Sequence, residues 1–172
     1  MKLPIIFTIL MCSLPLMAQR DNTATSTQKT QPALVTFVDN GMTLAGGLPG
    51  QKSQAFRGKL FVENQLLAEM QPSSFITFEF EPVEVEFTAQ TWVATGPSGG
   101  AHLTLTLVAG KHYFIELRTK QGWPFTKMFG IKEITCQQAQ KEHEQDKPLD
   151  RTQVKVTGDP VALVEVSFPP CS

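Results

Sequence analysis

The chain has 172 residues, with 15 basic and 16 acidic side chains and a formal net charge of −1. This balance leaves no basic footprint for nucleic acid or for an anionic membrane surface. Beyond the first 18 residues no apolar run approaches the roughly 20 residues that a membrane-spanning helix needs, so no transmembrane segment is expected.

The N-terminus sets the context for the rest. Lys2 precedes an uncharged run from Leu3 to Ala18, and Gln19, Arg20 and Asp21 end it abruptly. This is the layout of a secretory signal peptide over residues 1–18, with cleavage expected after Ala18 and the product periplasmic or extracellular. A lipid anchor at Cys12 is disfavoured, because Met11 stands where a lipidation site needs a small residue. Cleavage leaves two cysteines, Cys136 and Cys171. In an oxidising compartment they are expected to pair. A loop of that length is worth roughly 3–4 kcal/mol in the chain-entropy account.

Residues 19–31, QRDNTATSTQKTQ, have no aromatic or branched aliphatic side chain and read as a polar, disordered linker. The folded part, expected over residues 32–134, starts with ALVTFVDN, a strand rich in β-branched and aromatic residues. Residues 41–55 read as a glycine-rich loop. GKLFVENQLLAEM reads as two short strands about a turn at Asn64-Gln65. SFITFEFE alternates, with Ile76, Phe78 and Phe80 on one face. Pro82 interrupts, and VEVEFTA alternates again with Val83, Val85 and Phe87 directed inward. A second glycine-rich loop covers residues 95–100.

LTLTLVAGKHYFIELR, residues 103–118, carries two odd-numbered apolar sets, Leu103, Leu105 and Leu107, then Tyr113, Ile115 and Leu117. Read as a hairpin, these sets share a face only with an odd loop, since a one-residue slip inverts the faces. The three-residue loop Val108-Ala109-Gly110 satisfies that and puts Gly at its left-handed position. Leu105 then faces Tyr113, and His102 meets Glu116 on the wet face. After a turn at Gln121-Gly122, TKMFGIKEI is a further strand. Residues 135–146 read as a helix, with Thr135 and Gln138 as a capping box and Ile134 stapled onto Ala139. Residues 147–172 form a tail, with two short strands about Gly158-Asp159-Pro160 and the disulfide beyond. The expected fold is a mostly β, antiparallel sandwich of immunoglobulin-like or similar layout, with one late helix and a short β tail.

Five constellations could carry chemistry. His102, His112 and Glu116 offer zinc-type donors, but the hairpin register separates the two histidines by about 13 Å at ~3.3 Å per residue. Gly96 to Gly100, GPSGG, matches a nucleophile elbow with Ser98, yet a strand follows where the motif needs a helix. Residues 46–53, GGLPGQKS, suggest a phosphate loop, but Gln51 separates Gly50 from Lys52. The acidic stripe Glu79, Glu81, Glu84 and Glu86 alternates with Phe and Val, which places it on the wet face of a sheet. Trp123 and Phe125, in GWPF, could anchor a partner or glycan at a hairpin tip. No catalytic set converges, and no cofactor or metal is expected.

The segments ALVTFVDN, FRGKLFVENQLLAEMQPSSFITFEFEPVEVEFTA and LTLTLVAGKHYFIELRTKQG together resemble a family of small exported bacterial domains of unknown function. These share a layout with PEGA-type surface domains. The family pattern runs strand, V-x-V-D-G-x hairpin, PPG-x-H turn, strand, then L-x-AG-x-x-Y-Y-L. Leu60 to Leu66, Glu81 to Phe87 and Leu107 to Ile115 occupy the corresponding places over roughly residues 32–145. This chain departs in having Asn64-Gln65 for Asp-Gly and Val83 where glycine is usual. The resemblance implies a β-sandwich and carries over no catalytic residue. The expectation is therefore an exported, non-enzymatic module that contacts a protein or an envelope component. The alternatives are a ligand, glycan or metal-binding module using the Trp123 loop, and a small hydrolase through Ser98.

Overall fold

The computed structural model describes residues 31–43, 52–53, 58–91, 99–121, 127–156, 161–163 and 167–171. The expected signal peptide, with Ala18 and Cys12, and all of the polar linker but Gln31 lie outside these residues, as do Ser98, Trp123 and Phe125.

The described residues form a two-sheet β-sandwich with one α-helix. The smaller sheet has the order β4 (Gln65–Met70), β3 (Gly58–Val62), β6 (Glu84–Thr91), β7 (Ala101–Thr106). The larger sheet centres on β1 (Ala33–Thr43), flanked by β5 (Ser74–Phe80) and β8 (His112–Gln121), with β9 (Lys127–Ile134) outside β8. The short β2 (Lys52–Ser53) pairs with the end of β1. Helix α1 (Cys136–His143) follows β9, and the tail adds β10 (Lys147–Pro148) and β11 (Val161–Leu163) to the free side of β5.

Two sequence expectations are corrected here. The sandwich is mixed, because β1 and β8 run parallel, pairing Val35 with Tyr113 and Phe37 with Ile115. Residues 103–118 are no hairpin: β7 pairs with β6, and β8 pairs with β1 and β9 in the opposite sheet. The connection is an arch over the core. Gly110 does adopt a left-handed φ of 72°. Lys111 N–H donates to the Val108 carbonyl at 3.1 Å, and the start of β1 holds the arch through Gly110 N–H to the Pro32 carbonyl. Tyr113 closes it from inside, its hydroxyl donating to the Thr106 carbonyl and accepting from Val108 N–H. The parity argument assigned the inward faces correctly, since Leu107, Tyr113, Ile115 and Leu117 are all buried. Parity alone does not distinguish a neighbour in the same sheet from one across the sandwich.

The core between the sheets is aromatic. Phe37 packs edge-on against Phe87 at 5.2 Å, and Phe80 against Phe87 at 5.4 Å. A second, smaller core lies on the other side of the larger sheet, where Val38, Phe75, Phe114, Ile134 and Ala139 pack together. The larger sheet is thus covered on both faces.

Smaller differences have local causes. The first hairpin turns at Glu63-Asn64, both with positive φ (44° and 70°), one residue earlier than expected. Such a turn matches the strand twist. Val83 sits in the bend before β6 and is half exposed. Residues 151–153 form a 3-10 turn, and only Val154 bridges, to Ala68. Thr135 caps α1 as expected, accepting from Gln138 N–H at 3.2 Å. Cys136 and Cys171 are joined, with Cα atoms 5.7 Å apart, tying the helix start to the chain's end.

Candidate functional site

The outer face of the larger sheet, between β8, β9 and α1, gathers the polar chemistry of the described residues. Outward positions on a strand are normally wet, but here α1 lies over them. Its Ala139 and His143, four apart and so on one helix face, are fully buried against the sheet. Glu116 of β8 is consequently 0% exposed, which corrects its assignment to a solvent-facing pair with His102.

Buried, Glu116 is surrounded by donors. Asn40 Nδ2 donates to Oε1 at 2.6 Å, and Arg118 Nε donates to Oε2 at 2.5 Å. Lys132 Nζ lies 3.3 Å from Oε2, and His143 Nε2 lies 3.7 Å from Oε1. Around this centre Arg118 reaches Glu142 at 3.6 Å, and His143 Nδ1 meets Asp146 at 2.7 Å. Burial pushes the Glu116 carboxyl up. The nearby His143 imidazole, the bonds from Arg118 and Asn40 and the charge of Arg118 more than offset this, and hold it at about 2. Three acids, Glu116, Glu142 and Asp146, thus face Arg118, Lys132 and the His143 imidazole.

Glu116, Glu142 and His143 bring possible metal-ligand atoms within 4.8 Å of one another. The donor types suit zinc. The surroundings oppose it, because a divalent ion bound there would displace or confront Arg118 and Lys132 on the same carboxylate. The arrangement is that of an ion network docking a helix.

The histidines separate completely. His102 sits on β7 with its Nδ1 2.6 Å from Glu86 and 3.1 Å from Thr88. His112 is in the other sheet, stacked on Phe114 at 4.4 Å, with Nε2 2.7 Å from the Thr36 hydroxyl. Burial lowers the His112 pKa. A hydroxyl beside an imidazole suggests a nucleophile and base. Thr36, however, is fully buried and shares its hydroxyl with Thr77 at 2.7 Å, so no substrate reaches it.

The acidic stripe also divides. Glu79 belongs to β5 in the larger sheet and is partly buried, whereas Glu84 and Glu86 are exposed on β6 in the smaller one. Of the GPSGG motif, Gly99 and Gly100 are described, and strand β7 follows them. Of the phosphate-loop stretch, Lys52 and Ser53 form strand β2, not the start of a helix. An open groove of about 340 Å³ lies beneath the tail, walled by Ile76, Leu149, Val154 and Ala162, with Arg151 in its lining.

Sequence reasoning missed the Glu116 network. The available signal was the helix itself: a short amphipathic helix with Ala139 and His143 on one face must cover something, and the nearest surface is the outer face of the preceding strands.

No helix among the described residues is long and apolar enough to cross a membrane. No family model, curated protein or solved structure matches the chain.

Proposed function

We propose that this chain is an exported, disulfide-clamped β-sandwich that acts by contact with another protein and not by catalysis. The observation that carries this reading is the state of the buried polar groups. Among the described residues, the deepest ionisable cluster is closed on itself by Asn40, Arg118, Lys132 and His143, beneath a helix pinned by a disulfide. Pairing of this kind supports a role for these residues in holding the fold. The Cys136–Cys171 bridge supports export, since such bonds persist in oxidising compartments. The resemblance to small exported domains points the same way.

The test places a photo-crosslinking amino acid at Val83, at Val108 and, on the helix, at Glu144, in the full chain expressed in its native cells. Protein adducts at the two exposed valines but not at Glu144 are expected, in an exported fraction cleaved after Ala18. Uniform absence of adducts, or a protein retained in the cytoplasm with its cysteines reduced, overturns the reading.

A further inference from the structure

A β-sheet ends in rows of unpaired N–H and C=O groups, and proteins blunt these edges with charge, proline, bulges or covering segments. Among the described residues, three of the four sheet edges are managed. The tail strands β10 and β11 cover β5. The Ala68–Val154 bridge and the bond from Lys155 N–H to the Leu67 carbonyl cover β4. Strand β9 carries Lys127, Lys132 and Glu133.

The fourth edge, β7, is different. It ends the smaller sheet and has no ladder partner beyond β6 among the described residues. Its sequence, Ala-His-Leu-Thr-Leu-Thr, has no proline, no lysine and no acid, and its pairing with β6 is regular. Leu107 N–H donates to the Val83 carbonyl, so the odd-numbered residues direct their backbone groups at β6. The backbone groups of His102 and Thr104, and Thr106 N–H, therefore point outward. Leu103 and Leu105, on the core face, are only partly buried. Two of the exposed large apolar side chains, Val83 (49%) and Val108 (55%), continue this edge at its C-terminal end.

We propose that β7 pairs antiparallel with β7 of a second copy of this chain, about a two-fold axis at Thr104. The proposal rests on the contact-module reading above. The strand is self-complementary in that register. His102 faces Thr106 of the other copy, Leu103 faces Leu105, and Thr104 faces itself. Thr104 meets Thr104 with both backbone groups, and each Thr106 N–H meets a His102 carbonyl, as an antiparallel ladder requires, while the Thr106 carbonyl stays on Tyr113. Both leucines meet leucine on the core side, and threonine and histidine meet threonine on the wet side. No like charges are brought together, and two four-stranded sheets become one of eight strands.

Sedimentation equilibrium of the purified mature chain tests this. A concentration-dependent monomer–dimer equilibrium is expected. Thr104→Lys, which sets two cations at the axis, and Thr104→Pro, whose missing N–H points away from β6, should both give monomer with an unchanged circular dichroism spectrum. Thr104→Cys should form a disulfide-linked dimer, because Cα atoms of such a pair lie about 5.5 Å apart. Thr106→Cys should not, being about 13 Å from its own counterpart. A wild-type monomer up to millimolar concentration, a dimer that survives both Thr104 substitutions, or cross-linking through Thr106→Cys instead overturns the proposal. A monomer that still gains adducts to other proteins at Val108 refutes self-pairing and leaves the contact-module reading standing; a monomer without adducts ends both.

Discussion

Replacing Glu116 with glutamine removes one charge and little volume from the centre of the helix-docking network. Its carboxyl is fully buried and lowered from 4.5 to about 2. That difference amounts to about 3 kcal/mol of preference for the charged form in the folded state. An independent estimate agrees, since removing one partner of a buried ion pair typically destabilises by roughly 3–5 kcal/mol. Glu116→Gln is therefore expected to lose about 3 kcal/mol at pH 7, a large share of the ~5–15 kcal/mol of an ordinary domain. The sign with pH follows from the depressed value. The stabilisation is complete above about pH 4.5 and drains away as pH falls towards 2, so the wild type weakens across that window and Glu116→Gln weakens less. Urea denaturation of both proteins at pH 7 and pH 3, followed by circular dichroism, measures this. Glu86→Gln, at the half-exposed His102 pair, is the control and should cost under about 1 kcal/mol. Equal stability of wild type and Glu116→Gln at pH 7, or parallel pH curves, would refute the argument that this network docks the helix electrostatically.

Reducing the Cys136–Cys171 bridge should lower stability by roughly 3–4 kcal/mol for its 35-residue separation, read as a drop in melting temperature with and without reductant. Faster amide exchange in α1 should accompany it. Gly100 packs so closely on β6 that an added Cβ would stand 2.5 Å from Gln90 Cγ and 2.7 Å from the Ala89 carbonyl oxygen. Gly100→Ala should therefore destabilise by about 1–3 kcal/mol in chemical denaturation, and a neutral result would contradict that packing. Both amide atoms of Gln90 are buried with no hydrogen-bond partner among the described residues. Gln90→Met should raise the denaturation midpoint, since an apolar side chain of similar size avoids roughly 1–3 kcal/mol of unmet desolvation.

Alternation made the strands legible. Ile76, Phe78 and Phe80, and Val85 and Phe87, face the core as the pattern of two requires. The capping residue Thr135 and the cysteine pair were equally readable, because each depends on local chemistry or on a simple count. The pairing of strands was not. Tyr113 can lie opposite Leu105 in a hairpin, or face the same core from the other sheet, with identical parity. What decides between them is a partner 78 positions away, Leu34 opposite His112, which no local pattern encodes. The Glu116 network was hidden for a related reason: a glutamate alternating with Ile115 and Leu117 reads as wet until a later helix covers it.

The parallel pairing of β1 with β8 also bears on how fast the chain can fold. The central strand of the larger sheet precedes the other described strands in the chain, yet one of its two long neighbours is nearly 80 residues downstream. The β3–β4 hairpin and the adjoining β6, by contrast, pair over short separations. Closing short loops is entropically cheaper than closing long ones. The smaller sheet is thus the natural nucleus, and β1, which can pair with β5 across about 40 residues, gains its second neighbour only when the arch at Gly110 delivers β8. Half of the larger sheet's central ladder therefore closes late, after the smaller sheet has its strands in hand.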